Sequence, residues 1–130
     1  MHIKKLFTTL TCILFLLNTE KLPAQYSDFY LMKHYYDKAN QAQNEDKLIE
    51  ALYYSQLAVM WGPDERATHI RAGNICLKKE YYSSAIRYYK EAIRLSESGA
   101  AYNNLAIAYG MLGEDDLTLE TVKKGNETAN

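Results

Sequence analysis

Residues 73–95 read GNICLKKEYYSSAIRYYKEAIRL, and the placing of small side chains in this stretch decides the fold. Gly73, Ala85 and Ala92 stand 34 residues after Ala39, Ala51 and Ala58, and a further copy follows 33 residues on as Ala106, Thr118 and Gly125. A fixed period of this size marks supersecondary units stacked in a row, because each unit can bury its apolar face only against its neighbour. Within the stretch, Tyr82, Ala85, Ile86, Tyr89, Ala92, Ile93 and Leu95 recur at spacings of three and four, the stripe of an amphipathic helix facing a core. The chain reads as an all-α solenoid, an architecture that presents a groove.

Working outward, the same periodicity predicts six helices. The first is expected from Ser27, whose hydroxyl suits a cap, to about residue 43, and Asn44-Glu45-Asp46 turns the chain. The second carries Leu48 to Val59 and stops at Trp61-Gly62-Pro63, because Gly accepts a helix-ending conformation and Pro cannot continue a helix. Asp64-Glu65 opens the third, with Ile70, Ala72, Gly73, Ile75, Cys76 and Leu77 on its apolar face. After the fourth, Ser96-Glu97-Ser98-Gly99 breaks the pattern. A fifth runs from Ala100 to Leu112 with Gly113 at its stop, and the last spans Asp115 to about Thr128. That last segment, with Gly125 and three threonines, has the weakest helical pattern.

The opening residues, Met1-His2-Ile3-Lys4-Lys5 followed by the apolar run from Leu6 to Leu17, have the layout of a secretory signal peptide. The run is well short of the roughly 20 residues a membrane-spanning helix requires, so no stable membrane span is expected after cleavage. Leu22-Pro23-Ala24 places the cut after Ala24, and export to the periplasm, cell envelope or exterior follows as the expectation. Thr9-Leu10-Thr11-Cys12 lacks the residues that precede a lipidated cysteine, so lipid attachment is not expected. Taking Lys4, Lys5, Lys21 and Glu20 from 15 basic and 16 acidic side chains leaves 12 and 15, a net charge of −3. That balance argues against nucleic acid and against an anionic membrane surface as partners. Cys76 is then the one remaining thiol, which points to stability from packing and to a small buried side chain there.

Residues 32 to about 129 resemble three tetratricopeptide repeats. Gly73, Tyr82, Ala85, Tyr89, Ala92 and Leu95 carry the resemblance in the middle copy, Asn104 to Tyr109 with Gly113 in the third, and Ala51, Ala58 and Pro63 in the first. It implies a right-handed solenoid of about three antiparallel helix pairs, in copies 32–65, 66–98 and 99–130 after a lead-in at 25–31. Small residues are expected where paired helices approach closely, with Ala85 opposite Gly73 as such a seam. The copies depart from the family pattern at Lys38 and Ala42, at a first turn without glycine, and at Asp115, Thr118 and Gly125, as terminal repeats do.

By the same resemblance, the first helix of each pair lines the concave face and its outward residues hold a protein or an extended peptide. The candidates are Tyr36, Asn40, Arg71, Asn74, Lys78, Asn103, Asn104 and Ile107. The asparagines suit the open donors and acceptors of a peptide backbone, and Arg71 and Lys78 suit a carboxylate. Ile70 stands where the lysine of the family's two-carboxylate clamp would be, so that clamp is not expected. Of the twelve tyrosines, Tyr36, Tyr53 and Tyr88 are expected at the surface and Tyr82, Tyr89 and Tyr109 in the core. No metal-ligand spacing, nucleophile elbow or phosphate cradle is present, so neither catalysis nor a cofactor is expected. The readings that remain are an exported scaffold or adaptor, a peptide-binding chaperone or carrier for exported chains, and a fragment of a longer array.

Overall fold

The computed structural model describes residues 27–129, and the expected signal segment lies outside them. Among the described residues six helices follow one another: α1 (Asp28–Asn44), α2 (Leu48–Trp61), α3 (Arg66–Lys78), α4 (Tyr82–Leu95), α5 (Gly99–Met111) and α6 (Asp115–Ala129). There is no strand among the described residues. Each helix packs chiefly on its sequence neighbours, most extensively within the pairs α1/α2, α3/α4 and α5/α6, and α3 also touches α5. Ordering by nearest neighbour is what a solenoid requires.

The helix starts have local causes. Ser27 Oγ accepts from Tyr30 N at 3.3 Å, Glu65 Oε1 from Ala67 N at 3.4 Å and Ser98 Oγ from Ala101 N at 3.2 Å, each satisfying an amide the helix itself leaves open. The turn inside each pair is built one way three times. Asp46, Glu80 and Gly113 adopt φ of 58°, 61° and 76°. The next amide then reaches back into the preceding helix, Lys47 N to Ala42 O and Tyr81 N to Cys76 O at 2.8 Å, and Glu114 N to Tyr109 O at 3.0 Å. This is a helix end closed by a left-handed residue, a role glycine fills without strain. Only the third copy has the glycine; in the first two an acidic residue takes the same conformation.

The last helix, for which the pattern was weakest, forms with its threonine hydroxyls turned onto its own backbone. Thr118, Thr121 and Thr128 donate their hydroxyls to the carbonyls of Glu114, Leu117 and Lys124, four residues back, so no hydroxyl competes for the helical amides. Gly125 brings α6 close to α5. A Cβ there would stand 3.0 Å from Tyr102 Cβ.

The main core gathers Cys76, Ala85, Tyr89, Leu105, Ala108 and Tyr109, with Ile86, Tyr88 and Ile93 packed against it. Gly73 serves this core in a way that differs from expectation. The atoms nearest its missing side chain are Cε1, Cδ1 and Cζ of Tyr89, so the ring of Tyr89 rather than Ala85 occupies the slot. Ala85 is fully buried nearby in the same cluster. One repeat earlier the corresponding pair is Ala39 and Ser55, both fully buried, so the extra methyl is matched by a shorter partner. Cys76 is 1% exposed, as expected of a packing residue, and burial pushes its thiol pKa up.

The tyrosines divide differently from the sequence reading. Tyr89 and Tyr109 are buried and Tyr53 is exposed, as expected. Tyr88 is half-buried against the core, and burial pushes its hydroxyl pKa up. Tyr36 is half-buried beneath an arginine, and Tyr82 is half-buried rather than enclosed. The four ion pairs among the described residues, including Lys33–Asp37 and Lys124–Glu120, are solvent-exposed and contribute little to stability.

Candidate partner-binding site

The odd-numbered helices α1, α3 and α5 meet along one side through polar side chains. Arg71 on α3 crosses to α1, where its Nη1 donates to Gln43 Oε1 at 2.8 Å and its guanidinium lies 5.3 Å from the centre of the Tyr36 ring. The Nη2 group is 3.5 Å from the Tyr36 hydroxyl. An arginine stacked on a ring and held by an amide is presented in one orientation, which favours directional recognition. Tyr36, Arg66, Ala67, Ile70, Arg71 and Asn74 line a cavity of about 160 Å³ at this crossing.

On the other side of α3, Asn74 Oδ1 accepts from Tyr89 Oη at 2.7 Å and from Asn104 Nδ2 of α5 at 3.3 Å. Two donors occupy both lone pairs of that oxygen, which fixes the amide and leaves the NH₂ of Asn74 as its free donor group. Tyr89 therefore has two functions. Its ring fills the space beside Gly73, and its hydroxyl reaches the row of first helices. The desolvation that accompanies this position raises its phenol pKa strongly.

The first repeat has no counterpart to this network. Asn40 occupies the place of Asn74 and Ser55 that of Tyr89, and both Asn40 Oδ1 and Ser55 Oγ are buried with no hydrogen-bond partner, as is Arg71 Nε. A serine hydroxyl is several ångströms shorter than a tyrosine's, which accounts for the missing bond. Buried polar atoms without partners are costly, so the unpartnered Nε of Arg71, which lines the cavity at the α1/α3 crossing, favours a polar group of a ligand or water there.

Of the sequence candidates, the structure brings Tyr36, Arg71 and Asn74 together around the cavity and joins Asn104 to Asn74. Asn40 is half-buried on α1, while Asn103 and Lys78 are exposed away from the cavity lining, and Ile107 is 49% exposed on α5. Sequence reasoning missed Arg66, which lines the cavity and donates to Ser96 Oγ at 3.3 Å, because a residue in the first turn of a helix carries no periodic signal. The two histidines among the described residues, His34 and His69, are not part of the cavity lining. His69 Nε2 contacts Pro63 O at 2.7 Å and secures the loop between repeats together with Thr68, whose hydroxyl donates to Glu65 O at 2.7 Å. Among the described residues no three His, Cys, Asp or Glu side chains converge as metal ligands, and no helix is long and apolar enough to cross a membrane.

No family model matches the chain. Over 47 residues, 33% of the chain, it is 45% identical to the photosystem I assembly protein Ycf3 of Prochlorococcus marinus strains MIT 9301 and MIT 9215. The match spans 27% of those proteins, so the chain corresponds to about a quarter of their length. Among solved structures it is similar to YrrB, described as a TPR protein with an unusual peptide-binding site, with a TM-score of 0.65 and 24% identity over 72% of this chain and 49% of that one. With the helices of the described residues in adjacent pairs and this structural likeness, the chain has the tetratricopeptide-repeat fold.

Proposed function

We propose that the chain is a non-catalytic protein-interaction module, exported through its N-terminal segment, that holds a protein partner or an extended peptide along α1, α3 and α5. The observation that carries this reading is the α1/α3 crossing. There an oriented arginine with its unpartnered Nε and Asn74 with its free NH₂ line a cavity about the size of one or two side chains. Such a place rewards a peptide segment that brings its own carbonyls and a carboxylate. The assembly role named for Ycf3 and the peptide-binding site named for YrrB support an interaction role. The basic start and apolar run at residues 1–24 support export.

A pull-down from envelope extract with the intact protein and with Arg71→Ala tests the reading. One stoichiometric partner is expected, and loss of a charge-assisted contact worth about 1.5–3 kcal/mol weakens it roughly tenfold to a hundredfold. A broad spread of unfolded clients would favour a carrier over an adaptor. Equal capture by both proteins would refute the assignment of the site. N-terminal sequencing of the protein made in cells is expected to begin at Gln25.

A further inference from the structure

The last described helix pair, α5 and α6, exposes an apolar surface. Leu119 is 71% exposed, Met111 57%, Ile107 49% and Val122 40%. One repeat earlier, the counterparts of Ile107, Leu119 and Val122 are Asn74, Ile86 and Tyr89. Those three are engaged by the next repeat, Asn74 through Asn104, and Ile86 and Tyr89 through the cluster with Leu105, Ala108 and Tyr109. These positions are thus the stacking surface of a repeat, and the third repeat presents them open among the described residues.

A second copy stacked head to tail does not match this surface. The helix that would meet it is α1, and where α5 offers Leu105, Ala108 and Tyr109, α1 offers Lys38, Gln41 and Ala42. Lys38 and Gln41 are exposed, and Ala42 is already enclosed in its own cluster. Burying a lysine against leucine and valine is unfavourable.

The charge order along α6 fits a different arrangement. Asp115, Leu119, Val122 and Asn126 follow spacings of four, three and four, the seam of a helix that pairs with another helix. Asp116 and Lys123, seven residues apart, lie together on one flank of that seam, both exposed and neither in an ion pair within the described residues. When two such helices run antiparallel about a two-fold axis, like flanks meet. Leu119 then faces Val122 of the second copy, and Asp116 faces Lys123 of the second copy, twice. We infer that α6 is the contact of a two-fold homodimer in which the exposed apolar faces of two α5/α6 pairs cover one another. The charge pattern is self-complementary only in the antiparallel sense, and an isologous contact closes after two copies, so it does not propagate into fibres.

Analytical ultracentrifugation of the full chain, together with two charge variants, tests this. The wild-type protein is expected to sediment at twice the monomer mass at concentrations of about 10–100 μM, the range of a modest interface. Asp116→Lys places like charges opposite one another and is expected to weaken the dimer at least tenfold, and Asp116→Lys with Lys123→Asp to restore it. Leu119→Lys is expected to give a monomer with an unchanged helical circular-dichroism spectrum, since Leu119 is solvent-exposed in the single chain. A monomeric wild type at these concentrations overturns the inference. So does a dimer indifferent to Asp116→Lys, or one that the double charge swap fails to rescue; either result would transfer the surface to another helix-bearing partner.

Discussion

Gly73→Ala tests the packing at the centre of the molecule. A Cβ at this position would stand 2.6 Å from Cε1, 2.9 Å from Cδ1 and 3.0 Å from Cζ of Tyr89, closer than carbon atoms approach. Tyr89 is fully buried and its hydroxyl is held by Asn74, so the ring cannot swing aside freely. Forcing a methyl into a filled core costs about 1–3 kcal/mol, and a displaced ring loses a hydrogen bond worth about 1 kcal/mol net. Against this, alanine is favoured over glycine inside a helix by about 1 kcal/mol. The net expectation is a destabilisation of about 2 kcal/mol, which for a domain of this size lowers the melting midpoint by roughly 8–16 °C. Gly110→Ala is the control. Its Cβ would meet only Thr118 at 3.8 and 3.9 Å, an ordinary contact, so the helix preference acts alone and the midpoint is expected to rise. Thermal unfolding followed by circular dichroism at 222 nm reads both. A Gly73→Ala protein as stable as the wild type, or one that shifts in the same direction as Gly110→Ala, would refute the assignment of the Tyr89 slot.

Alkaline pH is expected to destabilise the fold. Burial holds Cys76 and Tyr89 in their neutral forms, so the folded chain keeps protons that the unfolded chain releases. Stability is full below the ordinary thiol value of 9.0 and falls as pH rises, first through the thiol and then through the phenol above 10.0. Urea midpoints at pH 7, 9 and 10.5 check this, and a flat or rising series contradicts it. Glu80→Gly removes a side chain from a left-handed turn, φ 61°, and is expected to stabilise by about 0.5–1 kcal/mol; an unchanged or lower melting midpoint would count against strain at that turn. Ser98→Ala removes the cap of α5 and is expected to cost about 1 kcal/mol, read by the same melt, with no loss meaning that solvent replaces the hydroxyl.

The helices and their order were legible in the sequence because small and large residues alternate at a helical period and repeat every 33–34 positions. Asp46 and Glu80 were not legible as left-handed residues. Glycine announces that conformation, and acidic side chains take it only because the flanking helices leave no other path. Tyr36 was assigned to the surface from its place on the first helix. Its half-burial depends on Arg71, 35 residues away, folding over the ring, a contact that no local pattern records. Asn74 and Asn104 were correctly placed on one row. That they bond to one another and to Tyr89, and so spend the carbonyl of Asn74 inside the protein, depends on the spacing between repeats. Tyr88 illustrates the same error. It sits beside the core stripe in the wheel of its helix, yet α4 is enclosed broadly enough to cover it.

The exchange of Gly73 and Tyr89 for Ala39 and Ser55 between neighbouring repeats carries a historical consequence. The two replacements are coupled, because an alanine facing the tyrosine is overpacked by about 1–3 kcal/mol and a glycine facing the short hydroxyl leaves a cavity that costs about 3–5 kcal/mol. Either single replacement is therefore costly alone, and the two positions of a duplicated unit are expected to change together rather than independently.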